Sequence, residues 1–270
     1  MKAIILAAGK GTRLGDYTRD LPKGMLRFQG ISLIERQVET CRRCGIERIV
    51  LVGGYRADRI DIPGTVMYVN EDYASTNMVE SLMCARGELE GETIVSYADI
   101  LYEDRVLRQV MADPADIGVT VDTAWRAYWE ARYGDPSVDT ESLAIEGDRI
   151  VDIGRPDPPL EEIDGRYLGL LKFSARGAAD LKEIYDAARA AYTGGPWRTS
   201  KSFQTGYMTD LLQEIADAGR ALAPVRIEGG WLEFDTVEDY EQARRWAETG
   251  ELDRFFRLEG PGRGGEGGET

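Results

Sequence analysis

Lys10, Arg13 and Lys23 stand within fourteen positions of one another in the stretch GKGTRLGDYTRDLPKG, where glycines free the backbone to approach a ligand closely. Backbone N–H groups and two or three cations suit a polyphosphate. The same residues also suit an ordinary glycine-rich turn, and the stretch alone does not decide between the two. It is not a Walker loop, because GKGTRLG lacks the four-residue gap before Gly-Lys-Ser/Thr, and it does not have the spacing of the dinucleotide fingerprint. Far downstream, Asp99 follows the apolar run Ile94-Val95-Ser96-Tyr97, and Asp235 follows Trp231-Leu232-Glu233-Phe234. Each could be a helix cap or a solvated turn residue. If both face one crevice, they make a Mg²⁺ site, since Mg²⁺ takes a couple of carboxylates plus waters and substrate phosphate oxygens.

The composition sharpens this. The chain has no histidine, which removes the usual neutral-pH base and the commonest zinc ligand. Catalysis then rests on carboxylates, Lys, Arg, backbone dipoles and a hard metal. The formal net charge is -15. Such a surface repels nucleic acid and anionic lipid, so neither is an expected partner. Cations gathered at one loop are more informative against that background. Cys41 and Cys44 are spaced like a redox or metal pair, but they fall in a helical pattern with Leu33, Ile34, Gln37 and Val38 and read as reduced helix residues, with redox or metal chemistry the alternative. The start of the chain lacks the features of a signal peptide, and no run is long enough for a membrane span, so the expectation is a cytoplasmic protein.

The elements that must position these residues alternate. Ala3–Ala8, Glu47–Val52, Thr65–Val69, Thr93–Tyr97 and Ile117–Asp122 read as strands. Ser32–Cys44, Met78–Leu89 and Asp104–Met111 read as helices, with a short helix at Tyr55–Ile60. The pattern predicts an α/β fold: a doubly wound, mostly parallel, Rossmann-like sheet in three layers, with the ligand at the carboxyl ends of the strands. Beyond residue 125 it loosens into a small hairpin at 143–153, a strand Tyr167–Ser174, helices Ala178–Ala191, Tyr207–Ala218 and Val237–Thr249, and short strands Ala223–Glu228 and Trp231–Phe234. The expected organisation is one domain over residues 1–258. Its nucleotide-binding part covers 1–122, and 123–258 holds a small β-rich acceptor-binding subregion. The glycine-rich tail 259–270 reads as disordered.

Together LAAGKGTRL, LPKGML, SYADILY and EFDTVEDY resemble the nucleoside-triphosphate transferase family. The run STNMVESL, with WRAYWEARYGDP, IVDIGRP, YLGLLKFS and WLEFDTVEDYEQA, resembles its phosphocholine and phosphonate cytidylyltransferase branch. The resemblance implies a Mg²⁺-dependent enzyme. It would transfer CMP from CTP to a small phosphorylated or phosphonate acceptor and release pyrophosphate. A sugar-1-phosphate nucleotidyltransferase is the alternative, and a non-catalytic nucleotide-binding homologue a remoter one. It implies that Leu6, Ala7, Ala8, Gly9, Lys10, Gly11 and Thr12 cradle the nucleotide, with Thr76, Asn77 and Ser81 beside the base. Arg13 and Lys23 would act on the phosphates, and Asp99 and Asp235 would hold Mg²⁺. Ala98 departs from the glycine usual before the metal aspartate.

For the acceptor, the resemblance points to Arg155 in IGRP. Lys172 could play the same part, or lie solvated on its strand. Trp125, Tyr128, Trp129 and Tyr133, with Glu130 among them, could hold an ammonium group by cation–π contact; aromatics at helical spacing equally pack into a core or a dimer interface. Trp231 and Glu233 offer a second possible acceptor wall. The expected state is monomer or homodimer.

Overall fold

The computed structural model describes residues 1–258; the tail expected to be disordered lies outside them. The chain opens with β1 (Lys2–Ala7), a glycine-rich loop, and a two-stranded ribbon of β2 (Arg27–Phe28) and β3 (Ile31–Ser32). The first helix, α1 (Leu33–Arg43), starts where a capping box says it should. The Ser32 hydroxyl accepts from the Glu35 amide, and the Glu35 carboxylate accepts from the Ser32 amide. Then come β4 (Arg48–Gly53), β5 (Val66–Val69), α2 (Met78–Cys84), β6 (Thr93–Tyr97), β7 (Ile100–Tyr102), α3 (Asp104–Ala112), β8 (Ile117–Asp122) and α4 (Trp125–Tyr133). The remainder is the hairpin β9 (Glu141–Glu146) and β10 (Arg149–Pro156), β11 (Arg166–Phe173), α5 (Ala175–Ala191), α6 (Met208–Asp217), β12 (Ala223–Ile227), β13 (Trp231–Glu233) and α7 (Val237–Thr249).

Seven strands form one sheet in the order β12-β8-β11-β6-β1-β4-β5. All neighbours are parallel except β11, which runs antiparallel to both β6 and β8. Successive side chains of β1 point to opposite faces, and each face has its own core. Ala3, Ile5 and Ala7 pack with Leu33, Ile34 and Val38 of α1, Val106 and Leu107 of α3, and Ala243 and Trp246 of α7. Ile4 and Leu6 pack with Val79 and Leu82 of α2, Leu181 of α5 and Leu211 and Ile215 of α6. This is the expected three-layer α/β architecture.

The structure corrects several details. The region Tyr55–Ile60 holds a single 3-10 turn, Ala57–Arg59. The hairpin is longer than predicted. The strand β7 has no counterpart in the expectations; it pairs with β13 outside the main sheet. Cys41 is buried, and burial pushes its thiol up to about 12. A buried, protonated thiol on α1 agrees with the helical reading of that stretch. Among the described residues no helix is long and apolar enough to cross a membrane.

Candidate active site

The carboxyl ends of β1 and β6 are neighbours in parallel register, Leu6 opposite Tyr97. The chain leaving β1 therefore meets the chain leaving β6. The first becomes the loop Ala8–Arg13. The second turns through Ala98-Asp99 into β7, whose antiparallel pairing sets Ile100 opposite Glu233 of β13. The Phe234 amide donates to the Asp99 carbonyl at 2.9 Å. That short ladder brings Asp99 and Asp235 together across 136 positions of sequence.

Lys23 joins them. Its Nζ donates to Asp99 Oδ2 and to Asp235 Oδ1, both at 2.6 Å. The remaining oxygen of Asp235, Oδ2, takes Nη2 of Arg13 at 2.5 Å. Burial alone would push the Lys23 ammonium down; the two carboxylates outweigh it and hold it above its ordinary value. Burial pushes the Asp99 carboxyl up against the opposing pull of Lys23. Its second oxygen, Oδ1, is buried with no hydrogen-bond partner. A desolvated carboxylate oxygen without a donor is one that a cation or an ordered water would satisfy. Among the described residues no three His, Cys, Asp or Glu side chains form a ready metal cage. Two carboxylates, one with an orphaned oxygen, still suit Mg²⁺, which takes its other ligands from water and phosphate.

The loop is shaped around Lys23. Gly11 has φ +67°, and a Cβ there would lie 2.9 Å from Cβ of Lys23. The Thr18 hydroxyl donates to the Gly11 carbonyl at 2.7 Å and closes the loop from below. Gly24 packs so closely on Ile34 and Ala98 that no side chain fits. Beside Lys23 opens a cleft lined by Leu6, Ala7, Ala8, Gly9, Thr76, Asn77, Ser81 and Asp99, all expected site residues. Gly24 and Ala98 also line it, as do Tyr73, Met78 and Tyr97, which were not foreseen. Lys10 stands outside the lining, its Nζ 5.3 Å from the centroid of the Tyr55 ring. Gly11 and Thr12 are likewise outside the lining.

Two supports hold the aspartate turns, and neither was anticipated. On α1, the buried Gln37 donates through Nε2 to the carbonyls of Tyr97 and Ile100, at 2.9 and 2.7 Å, and its Oε1 accepts from the Ser96 hydroxyl. Its one sequence signal was an amide inside the apolar stripe of a helix. On α4, Arg132 is almost wholly buried. It grips Asp239 through Nε and Nη2, at 2.5 and 2.7 Å, and Glu233 through Nη1. Asp239 Oδ2 in turn accepts from the amides of Asp235 and Thr236, at 3.0 and 2.8 Å. Burial disfavours charge on Glu233, but Arg132 and Arg166 prevail and hold its carboxyl at about 2.

The expected acceptor residues fare differently. Trp129 is fully buried, its indole N–H donating to the Val138 carbonyl. It stacks with Trp125, Tyr128 and Trp231 and carries the Arg132 and Arg166 guanidinium groups on its ring. The aromatic stretch is thus core, as helical spacing allowed, and supplies neither an exposed cage nor an aromatic dimer face. Lys172 is also buried, donating to the carbonyls of Asp113 and Ala115 at 2.9 Å. Because β11 is antiparallel, Lys172 sits opposite Ile94 and Gly118, at the starting ends of β6 and β8 and away from the cleft. Arg155 lies on the outside of the hairpin, paired with Asp152 and Glu162. Glu233 is close to Asp99 and Asp235 but is committed to Arg132.

Residues 3–149 match the family model described as the MobA-like NTP transferase domain. The CTP:phosphoglutamine cytidylyltransferase of Campylobacter jejuni is 31% identical over 254 residues, which cover 89% of this chain and 98% of the relative. The 2-aminoethylphosphonate cytidylyltransferase of Lancefieldella rimae is 33% identical over 113 residues, 40% of this chain and 46% of that one. Among solved structures, the CTP:phosphocholine cytidylyltransferase of Streptococcus pneumoniae superposes with a TM-score of 0.69 at 23% identity. The match covers 91% of this chain and 98% of that one, and is a likeness of fold.

Proposed function

Because the chain belongs to the MobA-like NTP transferase family and is a nucleotidyltransferase, we propose that it moves CMP from CTP to a small acceptor bearing a phosphate or phosphonate group. One observation carries the reading: Lys23 bridges Asp99 and Asp235 beside a cleft whose lining includes Ala8 and Gly9 at the start of the glycine loop. The base lies against Thr76, Asn77 and Ser81, with Tyr73 beside them. The triphosphate runs along Ala8–Thr12 toward Lys10 and Arg13.

An oxygen of the acceptor's phosphorus group attacks the α-phosphorus in line with the bond to the β-phosphate. The new P–O bond forms as that bond breaks, and pyrophosphate leaves with the electron pair. The acceptor oxygen is already an anion at neutral pH, so no protein base is required. A chain without histidine loses nothing by this. Lys23 balances charge on the α-phosphoryl group, and Lys10 and Arg13 balance it on the departing pyrophosphate. Asp99 and Asp235 are the residues that would hold Mg²⁺, which when bound neutralises charge spread over the phosphoryl oxygens.

Phosphoglutamine, aminoethylphosphonate and phosphocholine, the compounds in the relatives' names, each combine an anionic phosphorus group with a nitrogen centre. On the acceptor side, Glu141 suits such a nitrogen. It begins β9, which packs against β11. It lies within electrostatic reach of Tyr97 and Tyr167, whose hydroxyls pair at 3.2 Å. Burial, only partly opposed by Arg166, holds its carboxyl above the usual range. Its side chain has no hydrogen bond or ion pair among the described residues, which leaves the carboxylate open to an incoming cation.

Two outcomes test this. EDTA stops pyrophosphate release from CTP and acceptor, and Mg²⁺ restores it. In Glu141→Gln, KM for 2-aminoethylphosphonate rises about tenfold, the scale of one charge-assisted contact. KM for CTP, and for ethylphosphonate, which has no nitrogen, stays unchanged. An equal rise for both acceptors would remove Glu141 from amine recognition.

A further inference from the structure

We infer that Lys23 and Arg13 keep the metal carboxylates closed until a triphosphate arrives, so that the divalent cation enters with the nucleotide and not before it. The inference rests on the reading of Asp99 and Asp235 as the metal residues. Three of their four carboxylate oxygens are taken: Asp99 Oδ2 and Asp235 Oδ1 by the Lys23 ammonium, Asp235 Oδ2 by the Arg13 guanidinium. Only Asp99 Oδ1 is unpartnered. A single oxygen does not hold Mg²⁺, which dehydrates reluctantly and needs several well-placed ligands.

Charge leads to the same conclusion. Two carboxylates face two cations, so the cluster presents no net charge to a dication. Beside it, Glu233 and Asp239 face Arg132 and Arg166. Lys23 would have to move for a metal to reach the two oxygens it holds. A triphosphate gives Lys23 and Arg13 other anions to bind. It also brings the phosphate oxygens that the two-carboxylate site lacks. The cations and the metal thus change places: the side chains pass from carboxylate to phosphate as the metal takes the carboxylates. The buried aspartates are never left without a counter-ion, a state that is strongly unfavourable.

The exchange is testable without turnover. Mn²⁺ binding, read by electron paramagnetic resonance in the absence of nucleotide, should be weak in the unsubstituted protein and at least about tenfold tighter in Lys23→Met. The gain should vanish in Lys23→Met/Asp99→Asn, which locates it. Equal Mn²⁺ affinity in Lys23→Met and the unsubstituted protein would overturn the inference. A second measurement needs no substitution. The Lys23 ammonium protons, sheltered by two carboxylates, should give a slowly exchanging ¹⁵N-resolved signal in the free protein. Mg²⁺ alone should leave it in place, and Mg²⁺ with CTP should move it; displacement by Mg²⁺ alone would contradict the exchange. Failure of CMP transfer with every acceptor would leave both measurements valid. Equal Mn²⁺ affinity would leave the proposed reaction standing, so the two claims fail separately.

Discussion

Replacing Lys23 with alanine should lower CMP transfer by about a thousandfold, the scale of removing a preorganised charge aimed at a transition state. The argument is geometric. Lys23 Nζ sits 2.6 Å from both Asp99 and Asp235, at the meeting point of the loops that leave β1 and β6. Among the described residues no other lysine or arginine lines the cleft. Lys23→Arg should not rescue. A planar guanidinium is wider than an ammonium and cannot take one point between two carboxylates. The far-ultraviolet circular dichroism of both variants should match that of the parent, because the sheet does not depend on the loop. Alanine at this position with full activity would remove the mechanism.

Arg132→Met should cost the most stability, about 3–5 kcal/mol, the penalty for breaking a buried ion pair from one side. The melting temperature should fall by about 10 °C, given about 2–4 °C per kcal/mol for a chain of this size. Arg132 is the counter-ion of two carboxylates at once, and its guanidinium also lies on the Trp129 and Tyr133 rings. Its loss removes the cation paired with both Glu233 and Asp239, and burial, opposed more weakly, then drives the Glu233 carboxyl upward from about 2. Asp239 caps the turn that carries Asp235. The residual activity should therefore need a higher Mg²⁺ concentration than the parent. Urea unfolding read by tryptophan fluorescence checks the first effect, and a Mg²⁺ titration of initial rate checks the second. A loss below about 1 kcal/mol, the scale of an exposed pair, would show that the network is not buried as described.

The parts of the fold that were legible in the sequence are those governed by local rules. Continuous apolar runs ended by glycine gave β1 and β4, and helical spacing behind Ser32 gave the start of α1; the capping box that fixes it was seen only in the structure. Gly9 and Asp99 were legible because ligands of such sheets sit where strands end; Thr76 and Asn77, just ahead of α2, and Ser81, on it, came from the family resemblance. What failed depended on direction and side. Lys172 looked available because nothing local reveals that β11 runs antiparallel, which carries the residue to the far end of the sheet. Trp129 looked like a cage residue, but Trp125, Tyr128 and Trp129 share one helical face, and that face turns inward. Gln37 and Arg132 escaped notice because their partners are 59 or more positions away. Such partners are fixed only by the whole fold. The pairing of Lys23 with both aspartates is of the same kind: the residue types were readable, and their mutual contact was not.

The central claim is that this cleft joins a cytidine nucleotide to a small acceptor carrying phosphorus and nitrogen. It is tested most directly by measuring pyrophosphate release from ATP, CTP, GTP and UTP, each against phosphocholine, 2-aminoethylphosphonate, phosphoglutamine and glucose-1-phosphate. The account predicts release from CTP with at least one of the three nitrogen-bearing acceptors and none with glucose-1-phosphate. Release from UTP with glucose-1-phosphate, and none from CTP with the other three, would contradict it.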